Sequence, residues 1–306
     1  MFCNSYFMTL IAAINQKKGI VIVSDRKMVD LNSRTAPSEA QKLFQLNHNS
    51  GIGIYGGIPS YKGMPIPLEE VIKCLLEHKM TNKDFSQALE AIQKTLNEVL
   101  KPISNQEFLR FKEALMNKKY DGVKEINNIS IIISNDGVMK YLIEYTTDRG
   151  KAGSLESPLE TINIFGLSFN ANRCEEFQIG SFTLPSNCFK VNTVQNHSTF
   201  TGVCFKGSQD ATSLAKEVLC PNKSLDPRVN YCKSLFTAKS SPIDKSFWNT
   251  QRDLDDYPPM LSHLISGVSK TEELFPPVTG FSTVGGKPIT AQITNKGFEW
   301  VDEFKA

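Results

Sequence analysis

Residue types that could do chemistry stand at the ends of apolar segments within the first 57 positions of the chain. They are Thr9 before the first such segment, Asp25 after the second, Lys42 before the third and Gly56-Gly57 at the end of the fourth. In a meander of adjacent strands, segment ends of this kind can meet at one rim of the sheet. A threonine hydroxyl becomes a useful nucleophile only beside a base, so the set is compatible with nucleophilic chemistry at such a rim.

Each of these residues taken alone has an ordinary structural interpretation. A single threonine is common in a strand, Asp25 and Lys42 could form a structural ion pair, and paired glycines usually mark a turn. The functional interpretation therefore depends on the order and spacing of all four features together.

In that order and spacing, the segment resembles the β subunits of proteasomes and the related subunit of the bacterial two-component ATP-dependent protease. These proteins are N-terminal nucleophile (Ntn) hydrolases. Their mature chain begins at a threonine, followed sixteen residues later by an aspartate, then by a lysine, a Gly-Gly pair and a Gly-Ser at the head of a helix. The corresponding positions here are Thr9, Asp25, Lys42 (after one inserted residue), Gly56-Gly57 and Gly207-Ser208.

The resemblance implies a threonine-type amide hydrolase, most simply a peptidase. Thr9 would attack an amide once its α-amine is free to act as the base, and an acyl-ester would form and be released by water. Asp25 and Lys42 would support the amine and the hydroxyl, Gly56 would donate its N–H to the oxyanion, and Ser208 would position the amine.

The resemblance also implies a substrate pocket beside the nucleophile. Its lining would include Met28, Ala40 and Ile54. These side chains are apolar, so we expect a preference for apolar residues at the cleaved position, which a panel of fluorogenic peptides would test.

The start of the chain departs from the family pattern. Family precursors usually carry glycine before the nucleophile, whereas Met8 precedes Thr9 here. Residues 1–8 would then be a short leader or a misassigned start, with translation from Met8 followed by removal of that methionine. Residues 9–306 would form a single domain with insertions at about 146–199 and 220–258.

A second departure lies near the last glycine pair, Gly285-Gly286. The family carries an aspartate four residues before this pair, and here that position is Phe281; the family's serine is Val284. Ser282 or Thr283 could take over part of this supporting role.

Apolar periodicity together with the resemblance predicts an α+β fold, a four-layer αββα sandwich of two antiparallel sheets flanked by helices. Strands are expected over 9–14, 20–23, 43–46, 52–55, 129–134, 138–145, 289–294 and 298–301. Helices are expected from Pro67, from Thr81 to an end at Pro102, and over 105–119, 211–219 and 260–268. The segment 220–258 is polar and is interpreted as a long surface insertion.

Composition excludes several other classes. The 34 basic and 32 acidic residues give a net charge of +2, which provides no electrostatic footprint for nucleic acid or an anionic membrane. No apolar run is long enough to span a bilayer, and no metal or cofactor motif is present. Seven cysteines without a C-x-x-C pair predict free thiols in the cytoplasm.

Two further functions stay open. The same acyl-enzyme could serve a transpeptidase or ligase, or an amidohydrolase of small amides. Alternatively, the chain could be a non-catalytic proteasome-like scaffold subunit. The expected partners are a peptide or protein substrate and, for a ring-forming protease, further copies of the same chain.

Overall fold

The computed structural model describes residues 5–7, 9–30, 38–58, 60–61, 64–65, 68–79, 83–133, 139–158, 162–170, 173–179, 191–192, 202–220, 222, 224–239, 253–277 and 282–301. The strands are β1 (Ser5–Phe7), β2 (Leu10–Gln16), β3 (Gly19–Ser24), β4 (Lys27–Asp30), β5 (Ser38–Glu39), β6 (Leu43–Asn47), β7 (Ser50–Ile58), β8 (Ser60–Tyr61), β9 (Met64–Pro65), β10 (Val123–Ile133), β11 (Met139–Thr147), β12 (Ala152–Pro158), β13 (Ile162–Asn170), β14 (Arg173–Ile179), β15 (Val191–Asn192), β16 (Gly202–Gly207), β17 (Ile289–Thr294) and β18 (Gly297–Val301). The helices are α1 (Leu68–Lys79), α2 (Phe85–Met116), α3 (Gln209–Leu219), α4 (Pro227–Lys239) and α5 (Tyr257–Leu274).

The described elements form four layers, with two antiparallel sheets inside and helices outside. A five-stranded sheet has the order β16-β2-β3-β17-β18, and an eight-stranded sheet has the order β15-β14-β13-β7-β1-β4-β5, with β6 also paired to β7. Helices α3, α4 and α5 cover the first sheet, and α1 and α2 cover the second. The α+β class predicted from the sequence is confirmed.

Side chains of β2 show why the layers form. Leu10, Ala12 and Ile14 pack against α3–α5, whereas Ile11 and Ala13 pack against the eight-stranded sheet. Successive residues of a strand point to opposite faces, so a strand between two apolar layers needs a continuous apolar run. Burial of such runs on both faces supplies the main free energy that holds the sheets together.

One edge of β7 is shared by two other strands. Residues 50–53 pair with β6, and residues 56–58 pair with β1. On its other side, β1 pairs with β4. Residues 5–7 therefore fill a slot between β4 and β7, which we call the β4–β7 slot, and the chain continues from there towards Thr9.

Helix α2 differs from the sequence prediction. It begins after Asp84, whose side chain caps it by accepting the N–H of Gln87, and it runs unbroken to Met116. Thr81 lies outside the described residues. The predicted end at Pro102 is wrong, because a proline removes one helical hydrogen bond without unwinding the helical segments on either side of it.

Strands β10, β11 and β12 form a separate three-stranded antiparallel sheet. The predicted hairpin over 129–145 is confirmed by the pairing of β10 with β11, although its turn at 135–137 lies outside the described residues. The final hairpin is confirmed by the pairing of β17 with β18.

The segment 220–258 is not only a surface insertion. It contains α4, whose Val229, Cys232 and Phe236 are buried against the five-stranded sheet and its other helices. These positions are three and four residues apart, the spacing of one helix face. The polar residues between them conceal this face in the sequence.

The segment 146–199 likewise contributes to the core. Its strand β13 pairs with β7, and the side chains of Phe165 and Leu167 are buried between the two sheets. Across the described residues, no helix combines the length and the apolar character that crossing a membrane requires.

Candidate active site

The chain crosses between the two sheets at Thr9 and again at Asp25. Thr9 precedes β2 of the five-stranded sheet, and Asp25 follows β3 of the same sheet. The N–H of Asp25 donates to the carbonyl of Leu10 at 3.2 Å, so the two crossings lie side by side. Both residues are fully buried. A hydroxyl and a carboxylate are thereby held together at the rim of the sheets.

The carboxylate of Asp25 is the centre of this site because five groups donate hydrogen bonds to it. They are the Thr9 hydroxyl, the Leu10 N–H (2.9 Å), the Lys27 N–H (3.1 Å), the Gly285 N–H (3.1 Å) and the Lys42 ammonium (3.0 Å to each oxygen). Donors on four chain segments fix the orientation of the carboxylate. The hydroxyl of Thr9 is fixed with it.

Lys42 brings a positive charge to the same place. Its side chain is completely buried, as is that of Asp25, and its ammonium also donates to the carbonyl of Lys27. Burial lowers the pKa of Lys42 below its ordinary value, and the charge and hydrogen bond of Asp25 oppose that shift. A buried ion pair stabilises a fold little, since desolvation offsets the attraction. The pair is therefore better explained by a need for charge at this place than by stability.

Ser208 lies on the other side of Thr9. Its N–H donates to the Thr9 carbonyl at 3.0 Å, and its hydroxyl caps α3 by accepting the N–H of Ala211 at 3.3 Å. Gly207, the preceding residue, has φ +137°, and a Cβ there would lie 1.8 Å from the Thr9 oxygen. Only glycine permits this approach of β16 to Thr9.

We expect Gly207→Ala to destabilise the protein by more than about 3 kcal/mol, because the added methyl overlaps the Thr9 carbonyl in a backbone conformation that alanine disfavours. Urea denaturation would measure the change. Gly150→Ala is the matched control: Gly150 also has a positive φ (72°), but nothing lies within 4 Å of its added Cβ. Equal losses in the two variants would contradict the close approach at Thr9.

A buried carboxylate that the sequence did not predict stands behind Ser208. Glu272 of α5 is 3% exposed. Both of its oxygens lie 2.9 Å from the hydroxyl of Thr283, and Oε2 also accepts the N–H groups of Thr283 and Val284. The Thr283 hydroxyl is in turn 3.1 Å from that of Ser208. The segment 282–284 thus receives a carboxylate from a helix.

The sequence does contain a signal for Glu272. The buried face of α5 includes Leu261, Ile265, Val268 and then Glu272, three to four residues apart. A carboxylate in that series has to be buried, and it then needs hydrogen-bond donors. The predicted helix ends at 268, so Glu272 falls beyond the predicted face.

The remaining predicted site residues lie as follows. Gly56 of β7, with φ 104°, is opposite Phe7 in the pairing of β7 with β1. Ala40 and Ile54 are buried in the cluster between the eight-stranded sheet and α1–α2. Met28 lies in β4, beside the β4–β7 slot.

The described residues hold no group of three or more histidine, cysteine, aspartate or glutamate side chains arranged to bind a metal ion. The described site is composed of the hydroxyls of Thr9, Ser208 and Thr283, two carboxylates and the Lys42 ammonium. Such a set can activate a nucleophile and transfer protons.

No model of a known protein family matches the chain, and no curated protein matches it. Among solved structures, it is similar to the Anbu (Gly-1) mutant from Hyphomicrobium sp. strain MC1. The alignment covers 97% of this chain and 86% of that chain, with 11% sequence identity and a TM-score of 0.40. At this TM-score we draw no functional conclusion from the similarity.

Proposed function

We propose that the protein is an N-terminal threonine amide hydrolase, a proteasome-like peptidase that acts through an acyl-ester on Thr9. The observation that carries the proposal is the buried contact of the Thr9 hydroxyl with the Asp25 carboxylate, which Lys42 also contacts. A buried threonine with no chemical role does not need a buried ion pair beside it.

The proposed reaction requires a free α-amine on Thr9. The unperturbed pKa of such an amine is roughly 7.7–8.0, so it can accept the hydroxyl proton near neutral pH once that hydroxyl turns from Asp25 to the amine. The oxygen then attacks the substrate carbonyl, and the Gly56 N–H stabilises the oxyanion. The amine leaving group takes the proton, and water hydrolyses the ester to release the acid.

The β4–β7 slot supports an extended peptide as the substrate. Residues 5–7 occupy it as an antiparallel strand that leads towards Thr9. Removal of those residues would leave backbone N–H and C=O groups of β4 and β7 unpaired, and an extended chain can satisfy such groups by strand addition. A small amide would leave most of this slot unused, which makes a small-amide hydrolase the weaker alternative.

The first experiment is to express the chain from Met1 and from Met8 and to determine the intact mass and N-terminal sequence of each product. Both are then assayed with a panel of fluorogenic peptide amides. We expect the preparation that begins at Thr9 to be active. A chain that keeps residues 1–8 should be at least about a hundredfold slower, since it lacks the amine base.

Two results would favour the scaffold alternative. One is that both products keep residues before Thr9. The other is that a chain beginning at Thr9 hydrolyses no peptide amide. Transfer of the acyl group to an added amine nucleophile instead of water would favour the transpeptidase.

The pocket lined by Met28, Ala40 and Ile54, a cytoplasmic location and assembly into a homo-oligomer stay predictions. A native mass of the chain that begins at Thr9 would measure the assembly. A preference for charged residues at the cleaved position would contradict the apolar pocket.

A further inference from the structure

The carboxylate of Glu272 is buried among neutral hydrogen-bond donors. The donors that reach it belong to the segment 283–284: two backbone N–H groups and the Thr283 hydroxyl. The Ser282 hydroxyl is 3.4 Å from Oε2, but it donates to the Val284 carbonyl at 2.7 Å. Burial raises the pKa of Glu272, with a smaller contribution from Asp210 of α3, and the hydrogen bonds from Thr283 and Val284 oppose the shift. Burying a carboxylate costs free energy unless hydrogen bonds compensate for the lost water. The donors of segment 283–284 provide that compensation.

The donor and the acceptor can be assigned in each hydrogen bond that links Glu272, Thr283 and Ser208. Two backbone N–H groups donate to Oε2 of Glu272, an arrangement that favours the ionised form, and an ionised carboxylate can only accept. The single hydroxyl hydrogen of Thr283 is therefore donated to Glu272, whose two oxygens are both 2.9 Å away. In the 3.1 Å contact between the two hydroxyls, Ser208 must then be the donor and Thr283 the acceptor.

Because the Ser208 hydroxyl donates its hydrogen to Thr283, the Ser208 oxygen can act only as an acceptor towards other groups. A hydroxyl oxygen accepts two hydrogen bonds, and Ser208 uses one for the N–H of Ala211 at the start of α3. The second is available to a neighbour. The Ser208 N–H donates to the Thr9 carbonyl, so the two residues lie side by side.

We propose that Glu272 is a positioning residue for the Thr9 amine, acting through Thr283 and Ser208. By fixing the two hydroxyl hydrogens, it presents an oxygen lone pair of Ser208 to an N–H of the amine. The amine's own lone pair is then left for the Thr9 hydroxyl proton. The inference rests on the proposed function, because it assigns a role in the same site.

Replacement of Glu272 by glutamine keeps the shape of the side chain but reverses the direction of its hydrogen bond with the Thr283 hydroxyl. The Gln oxygen can still accept the N–H groups of Thr283 and Val284, but its NH₂ group donates to Thr283. Thr283 then donates its own hydrogen to Ser208, and the Ser208 hydroxyl can donate to the lone pair of the Thr9 amine. That hydrogen bond competes with the Thr9 hydroxyl for the lone pair. Loss of the negative charge and capture of the lone pair both disfavour the ammonium form, so both lower the pKa of the Thr9 amine.

The test uses the full chain from Thr9 onward, released from an N-terminal fusion by a protease that leaves Thr9 first. We expect E272Q to lower kcat for a peptide amide by about tenfold or more with little change in KM, because a misdirected base loses part of its contribution. The acidic limb of the pH–rate profile should move to lower pH. E273Q is the matched control, since Glu273 is the next residue of α5 and is exposed; it should change neither property.

A second readout does not depend on turnover. NMR of protein with ¹³C-labelled threonine can titrate the Thr9 amine directly, and E272Q should lower its pKa relative to wild type and E273Q. The double variant E272Q/T283V should be no slower than T283V, because both changes interrupt the same series of hydrogen bonds from Glu272 to Ser208. Thermal unfolding of E272Q should stay within a few degrees of wild type.

An unchanged amine pKa in E272Q would overturn the proposal, and so would a loss of kcat that adds fully to that of T283V. If wild type hydrolyses no amide, the proposed function fails. The amine titration still decides whether Glu272 acts on Thr9.

Discussion

The Thr9→Ala protein should hydrolyse peptide amides about a thousandfold more slowly than wild type, or not at all, because no other group supplies the attacking oxygen. The loss should appear in kcat, measured on chains that begin at residue 9. Stability should fall by no more than about 3 kcal/mol, the value of one hydrogen bond to a charged group, here Asp25. Circular dichroism and urea denaturation would verify that the fold is kept.

Thr290→Ala is the matched control for this loss. Thr290 is also a buried threonine of the five-stranded sheet region, and the partner of its hydroxyl is that of Ser262 at 3.2 Å, not Asp25. It should keep wild-type activity. Thr9→Ser should keep part of it, since the hydroxyl remains. Hydrolysis by Thr9→Ala at the rate of Thr290→Ala would exclude Thr9 as the nucleophile.

The Lys42→Met protein should lose both activity and stability. Removal of one member of a buried ion pair leaves the other charge unpaired, at a cost of about 3–5 kcal/mol. Asp25 would keep its neutral donors, including the Thr9 hydroxyl, but no cation. We expect a lower urea midpoint and no measurable hydrolysis.

A double variant separates the two effects. Asp25→Asn combined with Lys42→Met removes both charges and should cost less stability than the two single changes added together, while leaving activity lost. Lys18→Met is the control for the loss of a lysine. The ion pair of Lys18 with Asp253 is exposed, with 73% and 76% of the side chains accessible, so its stability should not change measurably. A stable Lys42→Met protein would contradict the buried pair.

The sequence contained enough information for the layered fold and for the first part of the site. Thr9, Asp25 and Lys42 stand beside apolar runs whose lengths and alternation match buried strands, and strand ends determine where such residues lie. The structure brings these three side chains into direct contact. Their catalytic roles stay predictions.

The spacing along α5 signals that Glu272 is buried, but it does not place Glu272 in the site. Its contact with Thr283 depends on how α5 packs on the five-stranded sheet, and no local pattern specifies that. The long segment 220–258 posed the same difficulty, because α4 buries a narrow face of three residues among many polar ones. The sequence pattern reports a helix face only when apolar residues dominate it.

The hydrogen bond from the Gly285 N–H to the Asp25 carboxylate affects when the site can form during synthesis of the chain. The two residues are 260 positions apart, and domains begin to fold from the N-terminus during synthesis. A chain that is still being made has Thr9 long before it has the segment that completes the carboxylate's shell of donors. Contacts between residues so far apart in sequence are slow to form, because closing the long loop costs entropy. If the site is that of the proposed hydrolase, the order of synthesis itself therefore delays its activity until nearly the whole chain has been made.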